Sequence, residues 1–150
     1  MRTLLIPLDG SDFAEEVLSE GLTLFGQEKL HLILLRCVDL NEPVKYTEEF
    51  ILETHLEKER HRQIEGSFGA YLERHAEPLR KQGHQVETMI RTGSPVELIL
   101  HVSEEIHPDA ILLKSHGRSG IKRLFLGSVA EGVARRAACT VVLLPASKSN

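Results

Sequence analysis

Residues 110–131 read AILLKSHGRSGIKRLFLGSVAE, an apolar run followed by a loop rich in glycine and basic residues and then by the start of a helix. The run AILL is short and continuous, which is typical of a strand covered on both faces of a sheet. The segment SVAE has the S-x-x-E pattern of a capping box, with Ser128 as the predicted N-cap and Glu131 as its partner. We therefore predict a strand, a loop and a helix in succession, which is a repeating unit of parallel α/β sheets.

Four further segments have the character of strands. Nearly continuous apolar runs recur at residues 3–8 (TLLIPL), 31–38 (HLILLRCV) and 140–144 (TVVLL). Residues 85–92 (QVETMIRT) instead alternate in polarity, which indicates a strand with one face in contact with water. We therefore expect residues 85–92 to lie at an edge of the sheet.

Helical patterns separate these strands. In the third pattern Ser94 is a predicted N-cap, and Glu97 completes a second capping box. The fourth pattern carries Arg135 and Arg136 near its end, where the helix dipole favours cations. The predicted helices run from the N-cap Ser11 to Gly26, over residues 47–82, from Ser94 to His107 and Pro108, and from Ser128 onward.

The alternation of strands and helices over 150 residues indicates a single α/β domain covering residues 1–150. Short connections and right-handed crossovers predict an open parallel sheet with helices on both faces, which is a three-layer architecture. Ligands of such sheets bind beyond the carboxyl ends of the strands. This rule selects three stretches of the chain, which are PLDGS (7–11), CVDLNE (37–42) and KSHGRSGIKRLFLGS (114–128).

The composition argues against several classes of function. Hydrophobic residues make up 41% of the chain and charged residues 27%, with a formal net charge of −4, so we expect neither nucleic acid nor a membrane as a partner. Cys37 and Cys139 have no metal-ligand spacing and suggest no disulfide framework. Pro7 and Asp9 interrupt the first apolar stretch, which is too short for a signal sequence, so we expect a cytoplasmic protein.

The loop before the last helix has the residue types of an anion-binding site. Glycines allow the backbone to approach a ligand, and the amino end of the following helix offers unpaired N–H groups and a positive dipole end. Ser128 either caps this helix or contacts a phosphate, and the capping box favours the cap. Asp9 either binds a ribose hydroxyl or Mg²⁺, or stabilises a turn. The sequence has no nucleophile elbow, zinc motif or P-loop, so we expect no dedicated hydrolase site.

Three stretches together resemble the universal stress protein family. They are LLIPLDGSDFAEEVL (4–18), RTGSPVELIL (91–100) and SHGRSGIKRLFLGSVAEGVARRAACTVVLLP (115–145), and the order of the predicted elements also agrees. The family is a branch of the adenine-nucleotide-binding α/β folds. The resemblance implies a five-stranded parallel sheet in the order 3-2-1-4-5 and a regulatory module that binds ATP or another adenine nucleotide, with at most a slow ATPase activity.

The resemblance also assigns residues to the nucleotide. Family members that bind ATP carry the pattern G-x-x-G-x9-G-[ST] after the fourth strand, and its second glycine and closing pair match Gly117 and Gly127-Ser128. ATP, with or without Mg²⁺, is thus expected at the carboxyl ends of strands 1, 2 and 4, with Asp9 holding the ribose or adenine and Val38 beside the adenine. The implied nucleotide-binding residues are Pro7, Leu8, Asp9, Val38, Leu113, Lys114, Gly117, Arg118, Gly127, Ser128 and Val129.

One position departs from the family pattern. The first glycine of the motif falls at Lys114, whose side chain would either fill the ligand space or pair with a phosphate. Some family members bind no nucleotide, and this lysine makes a dimeric scaffold the alternative function. Family members also tend to dimerise through their last strands, so the resemblance implies a homodimer formed through Thr140 to Leu144.

Overall fold

The computed structural model describes residues 1–39, 56–115 and 126–145, and the strands in these ranges form one parallel sheet. They are β1 (Thr3–Pro7), β2 (His31–Val38), β3 (Gln85–Thr92), β4 (Ala110–Lys114) and β5 (Thr140–Leu144). Their order, β3-β2-β1-β4-β5, is the expected one and places the alternating strand β3 at an edge. Each strand agrees with its predicted bounds to within one residue at either end.

Helices cover both faces of the sheet, which confirms the three-layer architecture. One face, called here the α1–α2 face, is covered by α1 (Asp12–Glu16) and α2 (Leu56–Lys81). The opposite α3–α4 face is covered by α3 (Pro95–Ile106) and α4 (Ser128–Arg136). The beginning of the predicted second helix, residues 47–55, lies outside the described residues. In the part of the chain that the structure describes, no helix is long and apolar enough to cross a membrane.

The strands are buried because both of their faces carry apolar side chains. Successive residues of a strand point to opposite faces, so Leu4 and Ile6 of β1 pack on the α1–α2 face and Leu5 packs on the α3–α4 face. In β2 every residue from Leu32 to Val38 is buried. This burial on two sides explains why the inner strands are continuous apolar runs in the sequence.

The first helix is less regular than predicted. After α1 the chain forms a π-helical turn at Val17–Gly21 and then a 3-10 turn at Leu22–Phe25, before Gly26 ends the segment. A Cβ atom at Gly21 would lie 2.9 Å from Cδ1 of Leu144, so the glycine lets the π-helical turn pack closely against β5. The apolar spacing of the sequence predicts a helical segment but does not specify this change of helical type.

The predicted capping box of α3 does not form. Ser94 is the N-cap residue and its carbonyl accepts the N–H of Leu98 at 2.9 Å, but its hydroxyl caps no backbone N–H of the described residues. Glu97 pairs with Arg136 of α4 instead, and this long-range ion pair connects the two helices of the α3–α4 face. At the other end of α3, His107 adopts a left-handed conformation with φ 47° and ends the helix as predicted.

Candidate functional site

The carboxyl ends of β1, β2 and β4 lie side by side. β1 pairs with β2 on one side and with β4 on the other, so the order of the strands along the chain reverses between β1 and β4. From this point α1 leaves on one face of the sheet and α4 on the other. The crevice at such a reversal is where open parallel sheets bind ligands. The carboxyl edge between α1 and α4 is therefore the candidate site.

One hydrogen bond closes the ends of the glycine-rich loop. The N–H of Gly127 donates to the carbonyl of Ser115 at 2.6 Å, and the N–H of Ser115 donates to the carbonyl of Leu144 at 2.8 Å. The beginning of α4 is therefore held next to the carboxyl ends of β4 and β5. The predicted loop residues Gly117 and Arg118 lie outside the described residues.

Helix α4 begins one residue earlier than the predicted capping box requires. Gly127, with φ −62° and ψ 151°, is the N-cap residue, and Ser128 is already the first helical residue. The prediction that Ser128 is the N-cap is therefore wrong, and Glu131 pairs with Arg135 at 2.9 Å rather than completing a box. The extended conformation of Gly127 explains the difference, because its own carbonyl accepts the N–H of Glu131 at 2.9 Å and starts the helix.

The first turn of α4 presents backbone donors at its amino end. The bond from Glu131 to Gly127 is the first of the helical ladder, so the N–H groups of Ser128, Val129 and Ala130 precede it and have no partner within the helix. The Ser128 side chain is exposed beside them, while Val129 packs against the core of the α3–α4 face and fixes the turn. Open N–H groups and a positive dipole end favour binding of a phosphate or carboxylate.

Asp9 stabilises the turn between β1 and α1. Its Oδ1 atom accepts the N–H of Ser11 at 2.9 Å and the hydroxyl of Ser11 at 2.5 Å. The Ser11 oxygen in turn accepts the N–H of Ala14 at 3.2 Å, which makes Ser11 the N-cap of α1, as predicted. Asp9 therefore fulfils the turn role through Oδ1, and contact of its carboxylate with a ligand stays a prediction.

Lys114 ends β4 with a buried charge. Its side chain is 3% exposed and points to the α1–α2 face, as does Leu112 two residues earlier. The Nζ atom lies 2.8 Å from Oε2 of Glu16, 2.8 Å from Oε2 of Glu20 and 2.9 Å from the carbonyl oxygen of Pro145. An ammonium group has three N–H donors, so these three acceptors use all of its hydrogen-bonding capacity.

The partners of Lys114 also stabilise the charged form of its side chain. Burial lowers the pKa of Lys114, but the hydrogen bonds and negative charges of Glu16 and Glu20 outweigh burial, and the pKa is raised. A phosphate would have to displace a carboxylate before it could pair with this ammonium. The contacts therefore disagree with a phosphate-pairing role for Lys114, and the side chain instead links the end of β4 to Glu16 and Glu20.

The other predicted residues lie at the same edge, and most of them are buried. Leu8 belongs to the core of the α1–α2 face and Leu113 to that of the α3–α4 face. Val38 is buried at the end of β2, and its carbonyl accepts the N–H of Gly93 at 2.9 Å. Pro7 ends β1 and is partly exposed. The structure thus brings every described member of the predicted site to one edge, where Leu8 and Leu113 contribute side chains to the core.

A polar cluster beside Asp9 is not apparent from the sequence because two of its members come from α2. Nε2 of His75 lies 3.2 Å from Oε1 of Glu15, and the rings of His75 and Tyr71 are in contact with centroids 4.9 Å apart. The Tyr71 hydroxyl is buried beside the Glu15 carboxylate, but it forms no hydrogen bond of normal geometry with the residues that the structure describes. Burial raises the pKa of Tyr71, and the charges of Glu15 and Asp9 raise it further. The only sequence signal is an i, i+4 pair, which any amphipathic helix contains.

Comparison with known proteins decides the family. The family model described as the universal stress protein family matches residues 1–145. The chain belongs to the universal stress protein family. Among its relatives, the universal stress protein YxiE of Bacillus subtilis is 29% identical over 149 residues, an alignment that covers 94% of this chain and 97% of YxiE.

Solved structures of universal stress proteins share the fold. The protein MJ0577 of Methanocaldococcus jannaschii has a TM-score of 0.81 and 28% identity, with 99% of this chain and 98% of that chain covered. A universal stress protein family member from Arabidopsis thaliana, solved with AMP bound, has a TM-score of 0.70 and 16% identity, with 99% and 94% covered. The second likeness concerns the fold alone.

Proposed function

We propose that this universal stress protein is a regulatory module that binds ATP or another adenine nucleotide at the carboxyl ends of β1, β2 and β4. The observation that carries the proposal is the first turn of α4. Because Gly127 is the N-cap, the Ser128 hydroxyl is not used to cap the helix and is exposed next to the N–H groups of Ser128 and Val129. A hydroxyl and several N–H groups at a helix amino end form a suitable set of donors for a phosphate.

The arrangement of the strands supports one orientation of the nucleotide. Val38 lies at the end of β2 and Asp9 comes shortly after β1, whereas α4 starts beside the ends of β4 and β5. The base and ribose would therefore lie towards β2 and the phosphates towards α4. The AMP-bound protein from Arabidopsis thaliana indicates that this fold is able to hold an adenine nucleotide. Among the described residues no group of three or more His, Cys, Asp or Glu forms a metal site, so Mg²⁺ would enter with the triphosphate.

Substitution of Ser128 tests the proposal at its central contact. In Ser128→Ala we expect the affinity for ATP to fall by about tenfold or more, since a hydrogen bond to a charged group is lost. The free energy of unfolding should change by less than about 0.5 kcal/mol, because Ser128 is exposed and is not a cap. Isothermal titration and urea unfolding measure the two quantities.

The matched control is Ser94→Ala, because Ser94 also lies at the start of a helix and its hydroxyl also caps no described N–H. It follows the edge strand β3 rather than β1, β2 or β4, which form the proposed nucleotide site, and its substitution should leave the affinity unchanged. Unchanged ATP affinity in Ser128→Ala would contradict the proposed phosphate contact.

The second candidate function is a dimeric scaffold that binds no nucleotide. The observation in its favour is Lys114, which places a side chain with a fixed ion-pair network where the family motif has its first glycine. Lys114→Gly separates the two functions. If the side chain keeps nucleotide out, the glycine variant gains ATP binding that the unsubstituted protein lacks.

We also propose that the protein is a homodimer paired along β5. β5 has β4 as its neighbour on one side, and its other edge carries backbone groups available to a second strand. Val141, Val142 and Leu143 of this strand are partly exposed and apolar, which suits contact with a second copy. Sedimentation equilibrium should give twice the chain mass of 16.8 kDa, and a monomer at all accessible concentrations would contradict the dimer.

A further inference from the structure

The two halves of the candidate site belong to opposite faces of the sheet. The half that contains Asp9 is joined to α1 on the α1–α2 face, because Asp9 binds the N-cap residue Ser11. The half that contains Ser128 is the amino end of α4 on the α3–α4 face. A ligand that spans both halves requires that their relative position be fixed.

Lys114 has contacts that reach both halves. Its ammonium binds Glu16 and Glu20 of the segment that begins with α1, so it holds this segment against the end of β4. Its backbone leads directly to Ser115, whose carbonyl holds the N–H of Gly127 at the start of α4. The third acceptor of the ammonium, the carbonyl of Pro145, ties the end of β5 to the same point.

We propose that Lys114 is a positioning residue that fixes the two halves of the nucleotide site relative to each other before the ligand binds. This inference rests on the proposed function. Lys114 acts through its partners and does not touch the phosphates, since all three of its N–H donors already have acceptors within the protein. It is a feature of this chain, because the family motif has a glycine there.

The energetic argument depends on burial. The Lys114 side chain is 3% exposed whereas those of Glu16 and Glu20 are 31% and 46% exposed, so the buried ammonium depends on these carboxylates and on the Pro145 carbonyl in place of water, and its loss removes the contact that both carboxylates share. Without this contact the helical segment that carries Glu16 and Glu20, and with it the α1 half of the site, would be held less firmly against the end of β4. The ligand would then have to order this half on binding, and the cost of that ordering appears as lost affinity.

The experiment compares Lys114→Met with the unsubstituted protein. Methionine keeps the length and apolar stem of the side chain and removes the charge. We expect ATP affinity to fall about tenfold, with the same dependence of affinity on salt concentration, because no phosphate contact is lost. Amide hydrogen exchange should become faster in residues 9–21 of the ligand-free variant but not in β2 and β3, and saturating ATP should restore protection.

Two further variants supply a control and a milder test of the same contact. Lys81→Met removes the same charge from an exposed side chain that pairs with Glu77 in the last turn of α2, and it should leave both affinity and exchange unchanged. Glu20→Gln removes one of the two carboxylate partners of Lys114 and is the milder variant, so it carries the test if Lys114→Met does not fold. It should change affinity and exchange in the same direction by a smaller amount.

The outcomes separate this inference from the proposed function. If the unsubstituted protein binds no nucleotide, both are overturned. If it binds ATP and Lys114→Met binds equally well or more tightly, the inference alone is overturned. Loss of affinity together with a weaker salt dependence would assign Lys114 to a phosphate contact and would also overturn it, as would exchange that is unchanged in residues 9–21.

Discussion

Tyr71 carries a polar group that the fold buries without using it. Its hydroxyl is enclosed beside the Glu15 carboxylate, and no described residue forms a hydrogen bond of normal geometry with it. Burial, together with the nearby Glu15 carboxylate and the charge of Asp9, raises the pKa of Tyr71 and favours the neutral phenol. A buried hydroxyl without a hydrogen bond of normal geometry lowers stability, because it gives up its bonds to water and receives weaker contacts in return.

Removal of this hydroxyl should therefore not destabilise the protein. For Tyr71→Phe we expect the free energy of unfolding to rise by about 1 kcal/mol, since the ring contacts persist and the desolvation penalty disappears. Urea unfolding followed by circular dichroism gives the value. A loss of more than about 1 kcal/mol would show that the hydroxyl has a partner in solution, and would contradict its unsatisfied state.

For single residues, the sequence predicted which side chains lie at the helix ends and at the site better than it predicted what each side chain contacts. Ser94 and Ser128 stand in the same S-x-x-E pattern, yet neither forms a capping box, because Glu97 pairs with a distant arginine and the helix at Ser128 starts from Gly127. The role of Lys114 was equally inaccessible, since Glu16 and Glu20 lie in another element. Local patterns omit competing partners that only the folded chain brings into contact.

Among the elements, the π-helical turn Val17–Gly21 depends most clearly on the glycine at its end. It carries Glu20, a partner of Lys114, and it packs against β4 and β5. A Cβ atom at Gly21 would meet Cδ1 of Leu144 at 2.9 Å and Cδ2 of Leu112 at 3.1 Å. Both neighbours are buried, so neither is able to move away without disturbing the core.

We expect Gly21→Ala to lower the free energy of unfolding by about 1–3 kcal/mol, as is usual for an overpacked core. Gly66→Ala is the control, because a Cβ atom there would meet nothing within 4 Å and the position is inside α2. This control should raise stability by about 0.5–1 kcal/mol through the lower entropy of the unfolded chain. Chemical denaturation of both variants measures the difference, and equal stabilities would refute close packing at Gly21.

The amino edge of the sheet contains a pH-sensitive contact between elements. Nδ1 of His84, just before β3, accepts the N–H of Leu30, just before β2, at 3.2 Å. Burial lowers the pKa of His84 from its usual 6.5, and the positive charge of Lys29 lowers it further. Protonation would replace the accepting lone pair with a donor and break this bond.

Because the pKa of His84 is lower in the folded protein, the unfolded chain takes up a proton first as the pH falls below 6.5. The stability that the neutral imidazole provides is therefore present above this pH and is lost as the pH falls through the folded pKa. Urea unfolding between about pH 7.5 and about pH 5.5 should show a smaller decrease in His84→Ala than in the unsubstituted protein. Parallel decreases would show that His84 contributes nothing to the pH dependence.

Elements were predictable where one periodicity dominated a segment. The inner strands are almost entirely apolar because helices cover them on both sides, whereas the edge strand β3 has exposed positions and alternates in polarity. Irregular helices were not predictable in the same way. The π-helical turn arises from the fit of Gly21 against Leu144, a contact between residues that are far apart in the sequence.

For the whole molecule, the order of the strands determines where function is to be expected. The reversal between β1 and β4 gathers one turn with a carboxylate and one helix amino end at a single edge, although Asp9 and Ser128 are distant in the chain. The edge itself was predictable from the alternation of strands and helices. The internal ion pairs of Lys114, which distinguish this universal stress protein from the family motif, were not.

Isothermal titration of the folded, nucleotide-free protein with ATP in the presence of Mg²⁺, and separately with AMP, tests the central claim most directly. The proposed site predicts saturable binding with a preference for the triphosphate, because the longer phosphate chain extends further towards α4 and brings more negative charge to the amino end of this helix. Absence of heat and of saturation with both nucleotides would contradict the claim and would favour the dimeric scaffold.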